Sequence, residues 1–154
     1  MMTSTTNNVF LDSSIVVEYS KNTQTELLDY LLGSNYHKLF VSETVLSEFT
    51  FYWLAGRGNK APYTLKTRGD IPSIIESDSP LKFLNQFTLL PAQDETVGLF
   101  IDLMQRYNLL PNDALIIATT KLHGIPAIAS HDDDFIPACE GENIQLIRNL
   151  SDLT

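Results

Sequence analysis

The chain has 154 residues, enough for one domain with a buried core, and 44% of them are hydrophobic. Nineteen acids against ten Lys and Arg leave a net charge of −9, which excludes general electrostatic binding of nucleic acid, because phosphate contacts need cations. The lone cysteine, Cys139, excludes an internal disulfide and fits a cytoplasmic protein, and no apolar run is long enough to span a membrane.

Residues 1–7 are polar and read as a flexible N-terminal tail, and residues 8–150 as a single domain. Asn8–Leu11 is the first expected strand, after which Asp12 or Ser13 caps a helix over residues 15–19. A second helix, residues 24–32, turns Leu27, Leu28, Leu31 and Leu32 inward and stops at Gly33. Residues 38–41 form the second strand. Ser42 opens a helix whose stripe is Val45, Leu46, Phe49, Tyr52 and Trp53. Glu48 lies within that stretch. Pointing inward it needs a partner; at the edge of the stripe it is simply solvated.

From about residue 56 to 78 the chain is expected to make an irregular excursion. It carries Arg57, Lys60, Lys66 and Arg68 with no acid between them, either a solvated loop or a local phosphate-binding edge. Residues 73–87 hold one or two short helices, and Thr88–Leu90 a brief strand. Residues 94–107 form an amphipathic helix with Val97, Phe100, Ile101 and Met104 inward. Residues 109–135, LLPNDALIIATTKLHGIPAIASHDDDF, begin with a Pro-initiated helix that closes at His123 and Gly124. An apolar strand over 125–129 follows, then three aspartates. Residues 145–148 are the last strand, after an acidic loop. This alternation predicts an α/β fold, a three-layer α/β/α sandwich around a mostly parallel sheet of four or five strands.

In such a sheet the C-terminal strand ends share one edge. Asp12 and Asp132 each follow a strand, and Asp113 starts a helix entering the same edge. Each has an ordinary explanation alone: Asp12 caps, Asp113 complements a helix dipole, and Asp132 makes an Asx turn. Gathered with Glu48 they repel, by about 3 kcal/mol for a pair ~5 Å apart at an effective dielectric of ~20. Shared protons or a divalent cation relieve that repulsion. The all-oxygen set suits Mg²⁺ or Mn²⁺ better than Zn²⁺ and suits hydrolysis of a phosphodiester. His131 adjoins the group as a phosphate donor or an exposed loop residue. Ser14 and Ser130 either support a carboxylate or water, or serve as cap and turn.

These residues resemble a PIN-domain nuclease of the compact VapC toxin type. VFLDSSIVVEY resembles the family's opening strand and helix, SETVLSEF the helix bearing its Glu, and residues 109–135 its closing half. The resemblance implies an acidic, metal-binding catalytic site of Asp12, Glu48, Asp113 and Asp132, with Asp134 as a secondary position and Asp133 not implied. It further implies a Mg²⁺- or Mn²⁺-dependent endoribonuclease leaving 5′-phosphate and 3′-hydroxyl ends, the toxin of a toxin–antitoxin pair, dimeric and inhibited by a small antitoxin. The alternatives are a non-toxin PIN nuclease, or a non-catalytic module on the same fold that binds RNA or protein. A haloacid-dehalogenase-like phosphatase fits less well, because Ser14 stands where that chemistry expects its second Asp.

Overall fold

The computed structural model describes residues 7–153. Of the expected tail, residues 1–6 lie outside that range, while the Asn7 amide donates to the Tyr36 carbonyl at 2.5 Å. Strand β1 (Asn8–Leu11) is the middle of the sheet, and Val9, Phe10 and Leu11 are fully buried, as a strand covered on both faces requires. It pairs in parallel with β2 (Lys38–Ser42) on one side and β4 (Ala127–Ala129) on the other. Outside these lie β3 (Thr88–Leu90) against β2 and β5 (Gln145–Ile147) against β4, both parallel. The order is β3-β2-β1-β4-β5, so the expected mostly parallel sheet has five strands and every pairing is parallel.

Between β1 and β2 run α1 (Ser13–Ser20) and α2 (Glu26–Gly33). Between β2 and β3 run α3 (Glu43–Gly58), α4 (Pro62–Arg68), α5 (Ile71–Ser77) and α6 (Leu81–Leu84). After β3 the chain reverses direction across the sheet through α7 (Glu95–Tyr107) and α8 (Pro111–Leu122), then steps to the far edge through α9 (Phe135–Gly141). Right-handed crossovers assign α1–α6 to one face and α7–α9 to the other, completing the three layers. The packing of α1 on α3 and of α7 on α8 agrees. Phe10 and Phe135 are fully buried, Phe49 is nearly so, and each contributes about 1.5–3 kcal/mol of hydrophobic stabilisation. The strand order reverses between β1 and β4, the crevice where open parallel sheets bind ligands.

The structure corrects four expectations. The excursion is helical: α3 continues to Gly58, Asn59 ends it in the left-handed region, and α4 and α5 follow, each with proline in its first turn. The acidic loop after β4 holds a helix, α9, whose short apolar content gives little periodic signal. Tyr52 is half exposed. In α7, Val97 and Ile101 are also exposed, while Thr96 and Leu103 are buried and Leu99, Phe100 and Met104 are partly buried. That helix carries two apolar stripes one position apart, and contact with α8 selects the second.

One ionic cluster ties the second face together. Glu142, just past α9, keeps only 3% of its side chain exposed. It accepts from Arg106 Nη1 at 2.7 Å and from the Tyr107 hydroxyl at 2.5 Å, both on α7, and pairs with Lys121 on α8. The Arg106 hydrogen bond, ahead of those from Lys121 and Tyr107, pulls the Glu142 carboxyl down to about 2. Its contribution is therefore present above the ordinary carboxylate range and lost as pH falls through about 2. Glu142→Gln is expected to cost about 1–3 kcal/mol, the worth of charge-assisted hydrogen bonds. A thermal melt near neutral pH reads that cost, and the gap to the parent protein should close as the pH approaches 2.

Candidate metal and catalytic site

The site is assembled at the switch point from four parts of the chain. Asp12 ends β1, where its backbone N–H still donates to the Ala129 carbonyl on β4 at 3.0 Å. Its carboxylate caps α1, accepting from the Ser14 backbone N–H at 3.3 Å, yet it is only 3% exposed. The same Oδ2 accepts from the Ser14 hydroxyl at 2.6 Å and the Ser130 hydroxyl at 2.8 Å. Both serines spend their single proton on Asp12, so each oxygen is left to accept. Ser14 Oγ takes the His131 backbone N–H at 3.0 Å and Ser130 Oγ takes that of Asp132 at 3.0 Å. The supporting role expected of Ser14 and Ser130 thus has a geometry: they bind the β4 exit loop to the end of β1.

Asp132 in turn accepts the Asp134 backbone N–H on Oδ1 at 2.9 Å, closing the Asx turn expected of it. The turn delivers Asp134 to the start of α9. From the opposite side comes Asp113 in the first turn of α8, a helix with no side-chain cap at its N-terminus. Asp113, Asp132 and Asp134 each offer an oxygen within 4.8 Å of the other two. The resemblance implies Asp134 only as a secondary position, and the fold sets it beside Asp113 and Asp132.

Asp12 and Glu48 stand outside that trio. Glu48, half-buried on α3, faces the Ser13 hydroxyl at 3.2 Å, and the same hydroxyl lies 3.4 Å from Asp12 Oδ1. With one proton, Ser13 serves one carboxylate at a time. Ser13 had been read only as a possible cap. Its bridging role has a trace in the sequence, since successive hydroxyls after a strand-ending Asp place one on each side of that carboxylate.

All five acids meet electrostatically at Asp113, whose pKa is pushed up to about 7. Burial is the largest cause, followed by the charges of Asp12, Asp132, Glu48 and Asp134. A set of carboxylates that holds a proton near neutrality is short of positive charge. Its donors are all hard oxygens, and a cleft of about 280 Å³ opens beside Asp113 and Asp134, lined also by Tyr107 and Leu110. The residues therefore fit Mg²⁺ or Mn²⁺.

The basic residues do not converge here. Arg57 lies nine positions beyond Glu48 on α3, about 14 Å along the helix axis. Arg57 pairs with Asp78 at 2.7 Å and Arg68 with Asp70 at 3.0 Å, acids that lie just past the run in sequence. Lys60 and Lys66 are exposed. Asp133, which the resemblance does not imply, is exposed and forms an ion pair with Arg148.

Known proteins share this organisation. The PIN domain family matches residues 9–140. Ribonuclease VapC2 of Methanocaldococcus jannaschii is 30% identical over 131 residues, 84% of this chain and 87% of that protein. Ribonuclease VapC6 of the same organism is 31% identical over 139 residues, 83% of this chain and 90% of that protein. Among solved structures, VapC20 of Mycobacterium tuberculosis, described as a sarcin-ricin loop cleaving toxin, matches with a TM-score of 0.60. That match covers 84% of this chain and 94% of the other at 16% identity, and so bears on the fold alone.

Proposed function

The chain belongs to the PIN-domain family as a VapC-type member, and from that premise we propose that it is a Mg²⁺- or Mn²⁺-dependent endoribonuclease, the toxin of a toxin–antitoxin pair. The observation that carries the reading is the trio Asp113, Asp132 and Asp134 within 4.8 Å, set beside the buried Asp12. In this reading Asp113, Asp132 and Asp134 hold the cation, and Asp12 and Glu48 complete the acidic site. When bound, the cation orients water and offsets the negative charge that builds on the phosphoryl oxygens. Asp12 acts through Ser14 and Ser130, which hold the 130–132 backbone so that Asp132 keeps its place. Ser13 and Glu48 offer a polar wall across from the trio. Water attacks phosphorus, the bond to the 3′ oxygen breaks, and that oxygen leaves with a proton, giving 5′-phosphate and 3′-hydroxyl ends.

The substrate is RNA, and the action is cytoplasmic. The partners in this reading are a second copy of the chain and a small antitoxin, supported by membership of the VapC type. No helix among the described residues is long and apolar enough to cross a membrane. Cys139 takes no part: it is buried, and burial lifts its thiol to about 12, leaving it unreactive.

The test is cleavage of total RNA by the purified protein with Mg²⁺, with Mn²⁺ and with EDTA, followed by sequencing of the new ends. We expect cleavage with either cation, none in EDTA, and 5′-phosphate ends. Cleavage that persists in EDTA, or that leaves cyclic phosphates, would exclude the mechanism.

A further inference from the structure

A second cleft, of about 420 Å³, lies on the other side of the Asp132 turn and has no part in the chemistry above. Its walls include Gln24, Thr25, Glu26, His131, Arg148 and Asn149. Arg148 directly follows β5 and sits beside Ser130, because Ala129 and Ile147 are register partners and the Ser130 N–H donates to the Ile147 carbonyl. Its own backbone N–H is held by Asp152 at 2.8 Å, so the base of the side chain is fixed. The backbone of His131 is equally fixed, by Ser14.

Three kinds of donor converge here without an adequate acceptor. His131 Nε2 and Arg148 Nε are both shielded from solvent and have no hydrogen-bond partner. Unpaired polar atoms of this kind are uncommon in folded proteins, and the outer guanidinium of Arg148, whose side chain is 39% exposed, is the part that a ligand in the cleft can reach. The third feature is the N-terminus of α2, where Thr25 provides no side-chain cap and Glu26 and Asp29 stand in the first turn. Glu26 is the one acid on the wall, and it is exposed. The Arg148 guanidinium pairs with Asp133, whose side chain is 73% exposed and belongs to the same turn as the acidic trio, while the Asp152 carboxylate holds its backbone N–H.

We propose that this cleft binds a phosphate of the single-stranded RNA next to the one being cut, with Arg148 as its main contact, His131 and the α2 N-terminus as supports, and Asp133 as the carboxylate that RNA displaces. This rests on the nuclease reading and adds the path of the substrate. The strand runs across the β4–β5 end of the sheet rather than over the α3–α4 basic run, which lies away from the acids and has two of its four cations paired.

The experiment measures binding of a labelled single-stranded oligoribonucleotide of mixed sequence in EDTA across a salt series, so that no cleavage intervenes. Each phosphate contact contributes about 0.7 to the slope of log affinity against log salt. Arg148→Gln is expected to lower that slope by about 0.7 and to weaken binding about fivefold at 0.1 M salt. Arg148→Lys, which keeps the charge, should restore the slope. Asp133→Asn should tighten binding when Arg148 is present and do much less in the Arg148→Gln background, a coupling that general loss of negative charge does not produce. An unchanged slope for Arg148→Gln, or a loss seen instead with Lys60→Gln and Lys66→Gln, overturns the proposal. If the parent protein still cleaves RNA with Mn²⁺, the nuclease reading survives that result. A parent that cleaves no RNA defeats both.

Discussion

Asp113→Asn is expected to lower RNA cleavage by about 10²–10⁴-fold while raising the melting temperature of the cation-free protein. The first effect follows from removing one of the three carboxylates proposed to hold the cation, since a catalytic cation supplies several kcal/mol of transition-state stabilisation. The second follows from electrostatics in the opposite direction. Asp113 is the group whose ionisation is most opposed by burial and by the surrounding carboxylates. An amide of nearly the same shape removes that charge, so the fold gains where the site loses. The pair of measurements separates a site residue from a structural one, because damage to the fold lowers both activity and melting temperature. A variant that melts higher and still cleaves at the parental rate would remove Asp113 from the site.

Affinity for Mn²⁺ should rise about tenfold per pH unit below about 7 and level off above it, because binding must expel the proton on Asp113. The matching stability effect has a definite sign. Asp113 holds its proton more tightly in the folded state than in the unfolded chain. Its stabilising contribution is therefore complete below the ordinary value of 3.8 and is lost as pH rises through about 7. In EDTA, melting temperature should drift downward from pH 4 to 8 from this source. With Mn²⁺ saturating at every pH the drift should vanish, since the tenfold gain in cation affinity per pH unit offsets the stability lost on ionising Asp113. Isothermal titration at several pH values checks the affinity, and melts of Asp113→Asn in EDTA check its source: that variant should lack the Asp113 part of the drift. Affinity independent of pH between 5 and 7 would show that the cation does not meet Asp113.

The strand positions were legible because β1 and β4 are short apolar runs ended by polar residues, a pattern that needs no tertiary information to read. The same holds for the helix after Pro111. What escaped was decided by neighbours. Val97 and Ile101 belong to an apolar stripe as good as the one that α7 buries, and only α8 distinguishes them. Helices α4 and α5 are too short to show a period, so Gly69 and the prolines read as loop signals when they are a cap and two helix starts. At the site, Asp12, Asp113, Asp132 and Asp134 are placed by strand ends and helix starts, while Glu48 comes from within α3. Their grouping was not legible: whether Asp134 or Glu48 joins Asp113 depends on an Asx turn and on where one serine proton goes. Arg148 carried a faint signal, a cation immediately after the last strand, but its alignment with Ser130 exists only once β5 pairs with β4.

The position of β1 at the centre of the sheet also sets when the acidic site can assemble as the chain is made. Asp12 and Ser130, which hydrogen-bond directly, are separated by 118 positions. A nascent chain that has left the ribosome only as far as α7 can pair β1 with β2 and β2 with β3, but one edge of β1 stays open and three of the five acids are missing. The loop after β4 brings the last two acids and, through Ser130 and His131, the groups that lock Asp12 and Ser14 in place. An interrupted translation product thus carries no assembled site. The order in which the strands are made therefore places completion of the acidic site among the last events of synthesis.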